Sequence, residues 1–314
     1  MGQVGAGRAE DPRHPLLTMK LTNHQGLPKL LVDAIRNDDY SRGDSDISVT
    51  QLIDSPQIRR LLEEYEDMLS EDVSDRVWAL LGQSVHHMIE RAARSNPSAI
   101  VERRLRMPVL DKILSGQLDY LEDGVLVDWK VTSAWTLTYR SHESWEAQLN
   151  VLAHLCEYNQ LPVKELKVLA ICRDWSPRKA ADGSNYPHSA VVEVPFERWD
   201  NWTTQRYIVQ RMALHFSDSW MFENPTGTQP ECSDEERWKQ PDTWAVMKKG
   251  RKSAIRVFDN EDDAEAHLME LTGDKDVHPF SVEWRRGRYS RCERYCPVRT
   301  VCPQWIAEQW DAAS

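Results

Sequence analysis

Residues 116–131, GQLDYLEDGVLVDWKV, decide the fold of this chain, because two apolar runs flank Asp123-Gly124 within them. An Asp-Gly pair between such runs predicts a β-hairpin with a two-residue turn. That turn sets a register in which Asp119 lies directly across from Asp128, with the two Cβ atoms about 5 Å apart. Lys130 is two residues beyond Asp128 and therefore points to the same side of the sheet.

The two sides of this hairpin predict different environments. One side is expected to face the core and carries Leu118, Tyr120, Val125, Val127, Trp129 and Val131. The other side carries the two carboxylates, which repel each other unless a cation lies between them. Mg²⁺ or Mn²⁺ suits such oxygen ligands, and a lysine beside the metal can polarise a water and offset charge in phosphoryl transfer. The alternative is a solvated face on which the acids and the lysine form a weak ion pair.

The elements around the hairpin indicate an α/β core. The sequence predicts helices over 74–94, 145–158 and 198–217, and further strands over 100–107, 166–172 and 190–194. In the first of these helices, Val77, Leu81, Val85 and Met88 form an apolar stripe at helical spacing. The order of helices and strands predicts a mixed central sheet flanked by helices.

Three segments are expected along the chain. Residues 1–44 are interpreted as an N-terminal tail, partly disordered, and residues 45–223 as the core. The linker-like NPTGTQP of residues 224–230 opens a small C-terminal α+β module over 224–314. Within that module we expect a hairpin over 245–258, a helix over 261–271 and a strand over 280–285.

Composition and charge limit the class of protein. The chain has 314 residues, of which 40% are apolar and 28% charged, as in soluble globular proteins. It lacks an apolar run of about 18 residues, so no membrane contact is expected. Its first residues lack the apolar core of a secretion signal, which favours a location in the cytoplasm of a bacterium or a phage-infected host. A net charge of −11 argues against nonspecific coating of nucleic acid, but not against a DNA enzyme. The basic runs at 248–252 and 285–294 are either phosphate contacts or solvated faces.

Further candidate site residues lie on either side of the hairpin. Gly82, His86 and Glu90 share one stripe of the first helix, where the glycine would let another backbone approach and His86 could supply a neutral nitrogen ligand. Glu102, in the strand before the hairpin, could add a third carboxylate. Gln148 lies near the start of the following helix and indicates no function by itself.

Taken in order, these residues resemble the RecB-like branch of the PD-(D/E)XK nuclease superfamily. The pattern of that branch is Gly-x-x-x-His-x-x-x-Glu, a glutamate, Gly-x-x-Asp, Asp-x-Lys and Gln-x-x-x-Tyr. The chain matches it at Gly82–Glu90, Glu102, Gly116–Asp119, Asp128–Lys130 and Gln148–Leu152, with Leu152 in the place of the tyrosine. Each motif alone is weak, but five in order over residues 46–175 are specific.

The resemblance implies a restriction-endonuclease-like core and a set of site roles. The metal ligands that it implies are His86, Asp119, Asp128 and the main-chain carbonyl of Trp129. It implies that Lys130 is the catalytic lysine and that Glu102 and Gln148 support the site.

The chain has six cysteines, and in a cytoplasmic protein we do not expect them to form structural disulfides. Cys156 and Cys172 lie in apolar stretches and are expected to be buried small hydrophobes. The other four are Cys232, Cys292, Cys296 and Cys302. Four thiolates at such positions suit a [4Fe–4S] cluster or structural zinc, and the residues alone do not separate the two. The C-terminal triplet resembles that of AddB-like nucleases, which implies an iron–sulfur cluster, although in those families the lone cysteine precedes the core.

The resemblance further implies a Mg²⁺- or Mn²⁺-dependent deoxyribonuclease, an exonuclease acting on DNA ends or single strands in recombination, repair or phage DNA metabolism. The chain has no P-loop motif, so a helicase would be a separate partner, and a strand-annealing protein is a second expected partner by analogy. Two alternatives stay open: a non-catalytic nucleic-acid-binding module with the nuclease fold, and a site-specific endonuclease.

Overall fold

A computed structural model of the protein describes residues 20–37, 43–139, 142–182, 185–216, 230–273 and 279–313. The chain divides into two compact units, Met1–Glu231 and Cys232–Ser314. Residues 1–19 of the expected tail, and the expected boundary at 223–224, lie outside the described residues. Among the described residues, no helix combines the length and apolar composition needed to cross a bilayer.

The first unit is a mixed α/β fold, as the sequence predicts. Its strands are β1 (Lys20–Thr22), β2 (Ile47–Ser48), β3 (Ser70–Asp72), β4 (Ile100–Val109), β5 (Lys112–Glu122), β6 (Val125–Thr132), β7 (Glu165–Cys172) and β8 (Val191–Phe196). Its helices are α1 (Lys29–Arg36), α2 (Val49–Ile53), α3 (Pro56–Glu64), α4 (Val77–Ala93), α5 (Ala134–Tyr139), α6 (Glu143–Tyr158), α7 (Pro177–Ala181) and α8 (Asn201–Phe216). Thus β1 and α1 form within the segment that the sequence assigned to the tail.

The six-stranded sheet of this unit is built around β5. Strand β4 pairs with β5 in antiparallel register along most of its length. The other edge of β5 is shared, because β2 pairs with it at Leu114 and Ser115 and β6 pairs with it from Tyr120 to Glu122. Strand β7 then runs parallel to β6, and β8 runs antiparallel to β7. Helices α5 and α6 make the crossover that the parallel β6–β7 pair requires.

The core lies between the sheet and α6. Eight residues of α6 are buried, among them Leu149, Leu152 and Leu155, and they pack in one apolar cluster with the sheet. Gly116 of β5 allows this close packing, because a Cβ there would lie 2.6 Å from Leu152 and 2.8 Å from Val49. Helix α8 adds its buried side to α6, α2 and α3.

Helix α4 forms where the sequence predicts a helix, but its apolar stripe does not face the core. No residue of α4 is buried, and Leu81 and Met88 are 38% and 63% exposed. Val77 packs instead beside a small cluster of Val32, Ile35 and Val73 from α1 and its surroundings. The polar stripe of the helix faces a cavity, as described below, and this orientation leaves the apolar stripe at the surface.

The described residues of the second unit form a small sheet, two α-helices and a short π-helical turn, Arg291–Tyr295. Its strands are β9 (Thr243–Lys248), β10 (Arg256–Phe258) and β11 (Phe280–Arg285), and its helices are α9 (Glu261–Thr272) and α10 (Pro303–Ala313). β9 is the central strand and pairs antiparallel with both neighbours. The predicted hairpin, helix and strand of this region are therefore confirmed.

Candidate active site

The centre of the site is a point where β5 and β6 separate. The predicted register is confirmed, since Glu122 pairs with Val125 and Tyr120 pairs with Val127. The ladder ends there, one pair short of Asp119 and Asp128. Because the strands diverge, the main-chain N–H of Trp129 loses its strand partner and donates instead to Asp119 Oδ2 at 2.8 Å. Backbone groups at the opening are thus satisfied by the acidic side chain.

The assignment of core and site faces on this hairpin was partly wrong. Of the residues predicted to face the core, Leu118 is buried, whereas Tyr120, Val127 and Trp129 are only half-buried. Leu121 and Leu126, which follow the same alternation as Asp119 and Asp128, are buried in the core cluster. The acids therefore lie at the edge of a buried apolar surface, where burial makes their charge costly.

Helix α4 brings His86 to the opening. Its Nδ1 lies 3.6 Å from Glu102 Oε1 and 3.7 Å from Asp119 Oδ2, and its Nε2 lies 3.2 Å from the carbonyl oxygen of Trp129. Ligand atoms of His86, Glu102 and Asp119 all lie within 4.8 Å of one another. Three separate elements, α4, β4 and β5, thus supply one compact group of nitrogen and oxygen donors.

Glu102 is held toward this group by an unusual backbone. Its φ is +48°, and its rung with Asp119 is missing from the otherwise regular β4–β5 ladder. A non-glycine residue in the left-handed region is strained, and such strain persists where the surroundings fix it. Gln117 Nε2 donates to Glu102 Oε2 at 2.5 Å, and Arg104 donates to Gln117 Oε1 at 2.8 Å. These two side chains fix the orientation of the carboxylate.

A second group of side chains surrounds Lys130. Lys130 Nζ donates to Gln148 Oε1 at 2.8 Å and lies 2.9 Å from Asp128 Oδ2. Gln148 Nε2 in turn donates to Asp128 Oδ1 at 2.7 Å. The ammonium contact to Asp128 Oδ2 lacks hydrogen-bond geometry, so this buried oxygen accepts no hydrogen bond from the described residues. A buried carboxylate oxygen of this kind is available to a cation.

The titration behaviour of the site reflects crowded acids. Burial and the neighbouring Asp128 carboxylate raise the pKa of Asp119 to about 7. The hydrogen bond to Glu102 raises the pKa of His86 despite its partial burial. Burial would raise the pKa of Glu102, but hydrogen bonds from His86 and Gln117 outweigh it and hold that pKa below its usual value. The raised pKa of Asp119 therefore reflects the cost of ionising a buried carboxyl group beside a second acid.

These groups line a cavity of about 900 Å³. Its walls include Gly82, His86 and Glu90 of α4, together with the acids, Lys130 and Gln148. A Cβ at Gly82 would meet nothing within 4 Å, so the expectation that this glycine admits another backbone was wrong. Its missing side chain instead keeps the cavity open.

The donor set fits a small divalent cation. Octahedral Mg²⁺ with bonds of about 2.1 Å places neighbouring ligand atoms about 3 Å apart and opposite ones about 4 Å apart. His86 Nδ1 lies 3.6 Å and 3.7 Å from the oxygens of Glu102 and Asp119, which is between these two values. The raised pKa of Asp119, caused by burial and by the neighbouring Asp128, indicates that a cation would be favourable at this carboxylate.

All the candidate residues around the hairpin therefore come together. They are His86, Glu102, Asp119, Asp128, Trp129, Lys130 and Gln148. Sequence reasoning missed Gln117 and Arg104, which were detectable: each lies two residues from an acid on the same strand and so shares its face. Their contact across β4 and β5 required the register of that strand pair, which no turn signal supplied.

The cysteines form a second candidate site, within the second unit. All six cysteines are free thiols, and Cys156 and Cys172 are buried as predicted. Cys292, Cys296 and Cys302 are also buried; burial raises the pKa of Cys296 to about 11, and the two neighbouring thiols contribute. The buried Arg237 forms an ion pair with Glu308 at 2.9 Å, and the neighbouring Cys292 and Glu308 raise the pKa of Arg237 despite its burial.

The main chain of Cys232 is held close to Cys302 by the side chain of Gln304. Its N–H donates to Gln304 Oε1 and its carbonyl accepts from Gln304 Nε2, both at 3.0 Å. Gln304 lies two residues beyond Cys302, at the start of α10. Because burial raises the pKa values of Cys296 and Cys302, these thiols would ionise only with additional positive charge beside them.

Comparison with known proteins adds little to this geometry. No family model matches the chain, and no curated protein matches its sequence. Among solved structures the chain is similar to SSO0001, with a TM-score of 0.42 and 19% identity over 62% of this chain and 90% of that one. It is also similar to a candidate exonuclease from Eubacterium rectale, with a TM-score of 0.26 and 11% identity over 62% of this chain and 65% of the other. Both TM-scores are below 0.5, so the site itself carries the functional argument.

Proposed function

We propose that the protein is a Mg²⁺- or Mn²⁺-dependent deoxyribonuclease that hydrolyses phosphodiester bonds. The observation that carries this proposal is the contact between two groups at one cavity: the His86–Glu102–Asp119 donors, and Asp128 with Lys130 and Gln148. A solvated surface would not bury two aspartates beside each other, because each raises the cost of ionising the other.

The residues have separate roles in this proposal. His86, Glu102, Asp119, Asp128 and the Trp129 carbonyl would hold the metal, which supplies Lewis-acid activation of water and charge neutralisation at the phosphate. Lys130, held by Gln148 and beside Asp128, orients the attacking water and stabilises negative charge on the phosphoryl oxygens. Gln117 and Arg104 are positioning residues for Glu102.

The finer assignment rests on the resemblance to RecB-like nucleases. We propose an exonuclease acting on DNA ends or single strands in the cytoplasm, in recombination, repair or phage DNA metabolism, with a helicase or strand-annealing protein as partner. A site-specific endonuclease and a non-catalytic binding module predict different outcomes in the same assay.

The assay incubates the protein with linear and circular DNA, single- and double-stranded, with Mg²⁺, Mn²⁺ or EDTA. Lys130→Ala should lower the rate by about 10²–10³-fold or more, as for loss of a transition-state donor. Lys167→Ala is the matched control, because Lys167 is a similarly half-buried lysine on the adjacent strand β7. It lies three residues from Ala170, the strand partner of Lys130, and so points to the opposite side of the sheet.

The pattern of cleavage across the four DNA substrates distinguishes the three candidate functions. Loss of linear DNA with circles left intact supports an exonuclease, whereas discrete fragments from circular duplex would indicate a site-specific endonuclease. DNA binding without metal-dependent cleavage on every substrate would refute the proposed activity and leave a binding module.

For the cysteine site we propose a [4Fe–4S] cluster held by Cys232, Cys292, Cys296 and Cys302, with zinc as the alternative. The burial of three of these thiols in one unit supports the proposal, because a bound metal centre would supply the positive charge that buried thiols need in order to ionise. Metal analysis and the visible absorption of anaerobically purified protein test this. A brown protein with iron and sulfide supports the cluster; a colourless protein with stoichiometric zinc would refute it.

A further inference from the structure

The turn between β9 and β10 concentrates positive charge. From Thr243 to Phe258 the chain has no acidic residue, and it has five basic ones: Lys248, Lys249, Arg251, Lys252 and Arg256. All five are exposed. None of them forms an ion pair with a carboxylate among the described residues. Such a cluster repels itself and attracts polyanions.

Five other basic residues among the described residues of the second unit are paired with carboxylates. The pairs are Arg237–Glu308, Lys239–Asp234, Arg285–Glu283, Arg286–Glu308 and Arg288–Glu293, with separations from 2.8 to 3.8 Å. Three of the five arginines in the basic run from Arg285 to Arg294 are thus paired. The turn from Lys248 to Arg256, which we call the basic turn, differs from it in this respect.

Among the described residues, the acidic start of α9 lies at the far end of β9 and β10 from the basic turn. The acidic first turn of α9 follows the end of β10 at Phe258, which pairs with Trp244 at the start of β9. The basic turn lies at the other end of the same two strands. Its backbone is ordered, because Gly250 adopts a φ of +89° and the Lys249 N–H donates to the Pro279 carbonyl.

We propose that the basic turn binds the phosphate backbone of a DNA strand and so anchors the substrate to the second unit. The choice of DNA as the polyanion rests on the proposed function. Flexible lysines and arginines bind phosphates without reading bases, so the contact would be independent of sequence. In a protein with a net charge of −11, a local positive surface is needed to approach a polyanion, because salt screens more distant repulsion within about 8 Å.

The test measures binding of the whole protein to a fluorescent oligonucleotide of about 30 nucleotides, as single strand and as duplex, in EDTA to prevent turnover. The variant replaces Lys249, Arg251 and Lys252 with glutamine; Lys248 is kept because it lies over the Phe280 ring. We expect its Kd to rise about 10-fold or more at physiological salt. The slope of log Kd against log salt should fall by about two on single strands, since each phosphate contact contributes about 0.7.

A matched triple variant controls for net charge. Lys29, Lys164 and Arg206 are exposed cations of the first unit, and their replacement by glutamine changes the charge equally. An equal loss in both triples, or no DNA binding by the wild-type protein, would overturn the proposal. Lys249→Arg with Lys252→Arg should keep wild-type affinity. Comparison of the two oligonucleotide forms shows which strand state the turn binds.

The outcome is separable from that of the proposed nuclease activity. A protein that binds DNA through the basic turn but cleaves nothing with Mg²⁺ or Mn²⁺ would refute the activity and leave this inference standing. If the glutamine variant binds DNA like wild type while the wild-type enzyme cleaves DNA, the nuclease activity stands and the role of the basic turn is refuted.

Discussion

Replacing Asp119 with asparagine should stabilise the metal-free protein at alkaline pH. Asparagine keeps an oxygen that can accept the Trp129 N–H but removes the buried charge beside Asp128. In the folded protein the pKa of Asp119 is about 7, against a reference value of 3.8. The folded state therefore binds the proton more tightly than the unfolded chain does, and stability falls as the pH rises through this interval.

The magnitude follows from the size of the shift. About three pKa units, at about 1.4 kcal/mol each, set an upper limit of about 4 kcal/mol at pH values above the folded pKa. We expect Asp119→Asn to gain about 2–4 kcal/mol at such pH. A unit of this size shifts its Tm by about 2–4 °C per kcal/mol, which makes the gain about 4–16 °C. Below the unfolded pKa both proteins carry a neutral side chain, and the gain should vanish.

The assay is thermal unfolding in EDTA across this pH range. Asp111→Asn is the control, because that carboxylate is 83% exposed in the turn between β4 and β5. Mn²⁺ should stabilise the wild-type protein at alkaline pH and close the gap to the variant. An equal gain at acidic and alkaline pH, or a less stable variant above neutral pH, would refute the electrostatic account.

Three further results are expected. Gly116→Ala should destabilise the first unit by about 1–3 kcal/mol, because the added Cβ would lie 2.6 Å from an α6 side chain. Gly82→Ala should stabilise the first unit by about 0.5–1 kcal/mol, because the space at Gly82 is open and alanine favours the helix. Chemical denaturation measures the free energy of unfolding of both variants. Gln148→Ala should slow cleavage more than it weakens DNA binding, since Lys130 loses its acceptor; equal effects on kcat and KM would contradict this role. Cys296→Ser should destabilise the second unit more than the first, because a metal bound there would stabilise the fold of that unit. Amide hydrogen exchange should then rise first in residues 232–314. A uniform rise over both units would argue against a local structural site.

Helix α4 shows where periodicity misleads. The sequence predicts an apolar stripe on this helix, yet Met88 of that stripe is 63% exposed and the polar stripe with His86 faces the cavity. Periodicity detects that a helix has two faces, but it does not say which face meets protein. At a functional cavity, polar side chains turn inward because they have partners there.

The sequence by itself determined the hairpin, because an Asp-Gly turn and the alternation of side chains are local properties of residues 116–131. It also determined that Asp119, Asp128 and Lys130 share a side of the sheet, and the order of helices and strands. Only the tertiary structure decided that β5 and β6 separate beyond Tyr120 and Val127, and that β2 takes the remaining edge of β5. That separation depends on contacts between distant segments, such as Gly116 against α6, which no local pattern encodes.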